Sequence, residues 1–286
     1  MEGKRERKRK IAYWLAALLL FCAFLFYGLR QTDRSADRHT AQLVTFGDSV
    51  FGLVRDETAI PQQVADKLGM TVYNAAFGGT RAARGDVERR LSYTKDSLSL
   101  VGLMRAVGAD DFGVQQAVHI RESSTEYFDE VVDGLETLEL SAADIILIQH
   151  GLNDYYSGIP IYTEEDPYDE YTYAGALRTS LEILHGKCPD ARIVLVTPTY
   201  SWYLFTEQTC EEFDAGGGLL EDYVAAQKEV AAQLGIEVID LYHDLFPHES
   251  WEDWERYTFD GLHPNDAGRA LVAGKIAAFL AGTGDF

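Results

Sequence analysis

The chain has 286 residues, 47% of them hydrophobic and 25% charged, with a formal net charge of −21. That composition is globular, and the length suits one α/β domain rather than two. So acidic a chain is not expected to bind nucleic acid, because it repels polyanions unless positive residues cluster locally; the plain consequence of the charge is solubility.

Lys4, Arg5, Arg7, Lys8, Arg9 and Lys10 precede a stretch from Ile11 to Leu29 that carries no charge. A helix over that stretch is roughly 28 Å long, close to the thickness of a bilayer's hydrocarbon core. It has no polar face, which argues against a buried core helix. The positive residues that follow are sparse, at Arg30, Arg34 and Arg38, so the positive-inside rule places the N-terminus in the cytoplasm. The apolar run ends Phe26-Tyr27-Gly28-Leu29-Arg30, without the small-x-small site of a cleaved signal peptide, so an uncleaved signal anchor is expected. The expected organisation is a basic cytoplasmic tail (1–10), a transmembrane anchor (11–29), a polar tether (30–40) and an extracytoplasmic folded domain (41–286). The protein is then a single-pass protein of the cell membrane.

Within the outer part, Gln42 to Phe46 is an apolar run of strand length that leads into Gly47-Asp48-Ser49-Val50. Pro61, tolerated in a first turn, opens a helix that Gly69 closes. Thr71 to Ala75 reads as the second strand and delivers Gly78-Gly79-Thr80. The long interval 81–143 predicts one helix over Asp86 to Val107 and another after Ser123, where Ser123 and Glu126 have capping-box spacing. Phe128, Val131, Val132, Leu135 and Leu138 share one face of the second helix. Asp144 to Gln149, nearly all apolar, suits a strand buried on both faces and delivers His150-Gly151-Leu152-Asn153-Asp154.

A loop rich in Tyr and acids follows, and then a helix near Ala174 to His185. A fourth strand, Arg192 to Thr197, precedes an aromatic loop from Tyr200 to Phe205. Gly216-Gly217-Gly218 reads as a flexible loop rather than an anion site, since no lysine accompanies it. A helix over Leu219 to Leu234, a fifth strand over Ile236 to Leu241 and a closing helix from Asn265-Asp266 to near Leu280 complete the chain.

Strands alternating with helices imply a parallel sheet covered on both sides. With five strands the usual order is 2-1-3-4-5, and its ligand crevice lies at the C-terminal ends of strands one and three. Ser49, Gly79 and Asn153 follow strands one, two and three, so pattern alone brings them to one rim. Of the cysteines, Cys22 lies in the apolar stretch, while Cys188 and Cys210 flank the fourth strand. That strand holds them more than about 20 Å apart unless the loop doubles back, so no bridge between them is expected.

A serine hydroxyl becomes a useful nucleophile only when a base takes its proton. His263 is the candidate base, preferred to His243 and His248, and Asp260 is placed to accept from its other ring nitrogen. The Ser49 and Gly79 amides and the Asn153 side-chain amide are candidate donors to a developing oxyanion, each worth roughly 2.7–4 kcal/mol. Asp154 is expected to brace the Asn153 turn through local bonds to the backbone. His150, Tyr155 and Trp202 are candidate substrate contacts on loops at that rim. Aromatics there could also pack the loops together.

In Gly47-Asp48-Ser49, Asn74 through Gly79, Gly151-x-Asn153-Asp154 and Asp260-x-x-His263 the chain resembles the SGNH (GDSL) hydrolase family, from Gln42 to near Leu280. The resemblance implies a flavodoxin-like three-layer α/β/α sandwich and no metal or other cofactor. It also implies hydrolysis of an ester through an acyl-serine intermediate. Val50 stands where Leu or Ile is commoner, and the interval between Gly79 and Asn153 is long enough to add a cover over the site. The expected substrate is an acylated glycan or small metabolite carrying acetyl or another short acyl group. A lipid esterase or lysophospholipase, an acyltransferase using the same residues, and a silent glycan-binding domain are the other readings.

Overall fold

Five short parallel strands form the centre of the domain. They are β1 (Leu43–Gly47), β2 (Val72–Asn74), β3 (Ile145–Gln149), β4 (Arg192–Val196) and β5 (Glu237–Ile239), in the order β2-β1-β3-β4-β5. This is the order expected from five alternating strands. Every residue of β1 and β3 is buried, so both faces of the sheet's middle are covered. Each aliphatic side chain so buried contributes roughly 1.5–3 kcal/mol by leaving water.

The computed structural model describes residues 38–85, 94–117, 128–243 and 245–283. Within the chain, Thr40–Phe286 forms one compact unit. The expected tail, anchor and nearly all of the tether, residues 86–93 of the expected Asp86–Val107 helix, and the capping box of Ser123 and Glu126 lie outside the described residues. Among the described residues no helix is long and apolar enough to cross a membrane.

Helix α1 (Ile60–Leu68) has Pro61 in its first turn and ends at Gly69, whose φ of 67° lets the chain leave the helix left-handed. Helix α2 (Leu100–Ala109) is shorter than expected. A 3-10 turn over Thr94–Leu98 comes first, and Ser99 then caps a fresh start by accepting from the Gly102 amide at 3.1 Å. Apolar periodicity runs across that break and conceals it. Helix α3 (Phe128–Thr137) buries Val131, Val132 and Leu135, the face anticipated from spacing. Helices α4 (Tyr173–Lys187), α5 (Leu220–Leu234) and α6 (Asp266–Leu280) follow, with Thr172 and Asn265 capping α4 and α6.

Helix α1 packs against α6, whereas α2 packs against α4 and α4 against α5, giving two helical groups for the two faces of the sheet. The described parts of 81–143 therefore belong to the body of the domain. Tyr73 of β2 donates to the Val131 carbonyl of α3 at 2.6 Å, and Leu103, Met104 and Val132 are core residues. Cys188 and Cys210 are both buried and unbridged.

Candidate active site

Register brings three chain segments to one end of the sheet. Gly47 of β1 lies opposite Gln149 of β3, and Thr45 lies opposite Asn74 of β2, so the C-terminal ends of these strands are aligned. Directly after β1, Asp48 adopts extended backbone and its carboxylate accepts from the Val50 amide at 2.9 Å. That cap turns the chain at once into a single helical turn, Ser49–Gly52, and sets Ser49 at its first position. Asn74 stitches the turn to β2. Its amide donates to the Phe51 carbonyl at 2.8 Å, and its oxygen accepts from Thr45 at 3.0 Å and from the Ala76 amide at 3.1 Å.

Two hydrogen bonds connect a carboxylate, an imidazole and the serine. His263 Nε2 lies 2.9 Å from Ser49 Oγ, and His263 Nδ1 lies 2.7 Å from Asp260 Oδ2. The other Asp260 oxygen accepts from the Leu262 and His263 amides at 3.0 and 2.8 Å. Burial works against the Asp260 charge, yet the His263 ring and these amides outweigh it and hold the carboxyl below its usual range. With Asp260 ionised, Nδ1 carries the proton and Nε2 is free to accept one from Ser49.

Candidate donors lie on the segments that follow β1, β2 and β3. The backbone N–H groups of Ser49 and Gly79 have no partner among the described residues. Gly79 has φ 72°, a conformation that a side chain would strain. Asn153 Nδ2 donates to the Thr80 carbonyl at 2.9 Å, which fixes the side chain and leaves its second N–H uncommitted among the described residues. Gly151, with φ 133°, turns the chain out of β3, and a Cβ there would sit 2.7 Å from the Tyr173 hydroxyl.

Asp154 does not brace its own turn as expected. Its two oxygens accept from the Ala82 and Ala83 amides at 2.8 and 2.9 Å, so it clamps the segment that follows Gly79. Burial pushes this carboxyl up to about 6, against the pull of those two amides. Asn153 and Asp154 thus grip one loop at two points, a pairing of segments that local spacing does not reveal.

The profile of the GDSL-like Lipase/Acylhydrolase family matches residues 44–271. The chain belongs to this family. It is a serine hydrolase acting on ester bonds. Among solved structures, a protein from Lactobacillus plantarum is 20% identical over 85% of this chain and 98% of its own, with a TM-score of 0.59. A possible lipase from Chitinophaga pinensis DSM 2588 is 20% identical over 85% of this chain and 100% of its own, at 0.54. A GDSL-like lipase from Bacteroides thetaiotaomicron VPI-5482 is 15% identical over 90% and 97%, at 0.50. At these identities the likeness is one of fold. No curated protein matches the chain in sequence.

Within this GDSL domain the three side chains expected to meet substrate are all interior. His150 and Trp202 are 1% exposed and Tyr155 is fully buried. Burial pushes the His150 ring down to about 3, and neither ring nitrogen finds a partner of good geometry among the described residues. Tyr155 donates to the Phe213 carbonyl at 2.6 Å, and Trp202 packs edge-on to Tyr200, so these rings knit the loops together.

His243 and His248 stand apart from Ser49. His243 pairs with Asp240 and Glu221, while His248 Nδ1 meets the Phe246 carbonyl. The glycine run is occupied by the chain's own anion, since Asp214 accepts from the Gly216 and Gly218 amides at 2.6 and 3.0 Å. Sequence reading passes over Phe259, whose half-exposed ring stacks on His263. The available signal was its place next to Asp260.

Proposed function

We propose that the protein removes acetyl or another short acyl group from a surface glycan or a small metabolite. It does so outside the cytoplasm, held at the membrane by residues 11–29. Ser49 Oγ attacks the ester carbonyl while His263 Nε2 takes its proton, and Asp260 keeps the imidazole in the required tautomer. Charge gathering on the carbonyl oxygen is met by the Ser49 and Gly79 amides and the second N–H of Asn153. His263 then protonates the departing alcohol. Water, deprotonated by the same nitrogen, releases the acid from Ser49.

The observation that carries this reading is the unbroken line Asp260–His263–Ser49, with bonds of 2.7 and 2.9 Å, at the rim where the amide donors gather. The preference for a short acyl group draws support from the loops after β3 and β4, whose Tyr155, Trp202 and Tyr203 rings are committed to internal packing. The apolar segment from Ile11 to Leu29 favours a rival, a lipid-directed esterase held beside its substrate.

Full-length protein in detergent, compared with Ser49→Ala, tests the reading on esters of one alcohol from acetyl to dodecanoyl, with and without glycan alcohols. Turnover that depends on Ser49 and falls with acyl length is expected. Turnover rising with length replaces the short-acyl reading with the lipid one, and product formed only with an acceptor alcohol indicates a transferase. A folded protein that never forms acyl-serine is a binding domain. Protease added to intact cells should remove the domain beyond residue 40, and full protection would overturn the topology.

A further inference from the structure

We propose that Phe259 is the platform for the alcohol half of the ester, selecting leaving groups that present a flat, ring-shaped apolar face. This rests on the esterase reading and names what the same site prefers. In acylation the bond between Ser49 Oγ and the acyl carbon forms, and the bond from that carbon to the alcohol oxygen breaks. The proton lost by Ser49 passes through His263 Nε2 to the departing oxygen. That oxygen must therefore lie within about 3 Å of Nε2, and the rest of the alcohol leaves the site past the imidazole.

What stands beside the imidazole is Phe259. Its ring lies nearly parallel to that of His263, at 14°, with centroids 5.5 Å apart, an offset stack that extends the imidazole's surface outward. The residue is 51% exposed, so about half of it is open to solvent. It is also fixed to the base it accompanies. The Phe259 amide donates to the His263 carbonyl at 3.0 Å, Thr258 and Pro264 bridge in antiparallel fashion, and the Gly261 amide is held by Thr258 Oγ1 at 3.0 Å. Phe259 and His263 are therefore two ends of one braced loop.

A lone exposed phenylalanine is ordinary on a protein surface, and Phe205, wholly exposed and stacked on no other ring among the described residues, is such a case. Phe259 differs in its contact with the group that must meet the leaving oxygen. The apolar face of a pyranose or of an aromatic alcohol can lie against such a ring, whereas a short alkyl alcohol cannot cover it.

The test uses full-length protein and three acetate esters, namely ethyl acetate, benzyl acetate and a methyl pyranoside acetylated on its primary hydroxyl. All three form the same acetyl-Ser49, so differences in kcat/KM report acylation and hence the alcohol. In Phe259→Ala the ratio of kcat/KM for each ring alcohol to that for ethyl acetate should fall about tenfold, the scale of one aromatic contact. Phe259→Tyr should keep the ratio and Phe205→Ala should not change it. A fall for the pyranoside alone assigns the platform to sugars, and a fall for benzyl alone assigns it to aromatic alcohols.

Parallel losses on all three esters would mean that Phe259 only supports His263, and an unchanged ratio would likewise remove the platform while leaving the esterase reading intact. Wild-type protein that turns over none of the esters and forms no acetyl-Ser49 removes both.

Discussion

The domain contains two Asp-x-x-His units built alike, Asp240 with His243 and Asp260 with His263. In each, one aspartate oxygen accepts from the backbone amides two and three residues on, at 2.9 and 3.1 Å in the first and 3.0 and 2.8 Å in the second. In each the other oxygen meets the imidazole Nδ1, at 2.8 and 2.7 Å. They part at the far nitrogen. His263 Nε2 faces the Ser49 hydroxyl, which has a proton to give, whereas His243 Nε2 faces the Glu221 carboxylate at 3.2 Å. Asp240 is also claimed by Lys228 at 2.6 Å, and although burial opposes its charge, that ammonium and His243 hold the carboxyl down at about 2. An oriented imidazole is therefore a local motif that a short turn makes readily, and its neighbour decides whether it can act as a base.

Breaking each unit in turn measures that difference. His263→Ala should lower kcat for ester hydrolysis by about 10⁴-fold or more, as loss of a triad member does, while His243→Ala should change it less than about twofold. Equal losses would place the chemistry elsewhere. Asp260→Asn should cost on the order of 10⁴-fold by favouring the wrong tautomer. Asp240→Asn should leave the rate intact and cost at most about 1 kcal/mol of stability, as expected for a half-exposed ion pair. Asp154→Asn should have a smaller effect. It removes one of two acceptors from the Ala82 and Ala83 amides, so stability should drop by roughly 1–3 kcal/mol and kcat by about tenfold as the loop after Gly79 loosens. Denaturant titration and steady-state kinetics on one preparation would separate the two losses.

Much of this was legible in the chain because the relevant signals are local. Strands β1, β3 and β4 are short, mainly apolar runs, Gly69 and Asn265 mark helix ends, and Ser49, Asn153 and His263 each sit just past or just before such an element. The reading failed where a residue's role is set by a distant partner. Asp154 looks like a turn residue until the Ala82 and Ala83 amides are seen against it. Tyr155 and Trp202 occupy loops by pattern, yet Tyr155 lies in a short helix, Leu152–Tyr156, and Trp202 in a two-residue strand paired with Gln208–Thr209, and both are buried. The start of α2 was hidden because Ser99 interrupts the helix without interrupting its apolar spacing. Sequence alone favours His263 over His243 by its place before the last helix and by the resemblance that Asp260-x-x-His263 carries. The contact with Ser49 spans more than two hundred residues.

A subtler contrast between the units lies in what is buried beside them. Behind Ser49, burial pushes the Asp48 carboxyl up to about 7, against the Val50 amide and the nearby His263, from an ordinary value of 3.8. Below the ordinary value the group is protonated in both folded and unfolded chains. As pH rises the unfolded chain releases its proton first, so the folded state's advantage from this group shrinks and is gone above about 7. Asp48→Asn keeps an acceptor for the Val50 amide and removes the titration. The melting temperature of wild type minus that of Asp48→Asn should therefore fall between pH 5 and pH 8, on the order of 2 kcal/mol or about 5 °C. Asp154 titrates in the same window and its charge helps to raise Asp48, so the comparison is repeated in an Asp154→Asn background, which removes that coupling. A difference that stays flat or rises with pH would mean that Asp48 is ionised in the folded protein throughout. A buried charge would then stand behind the nucleophile, where the cap on Val50 calls only for an acceptor.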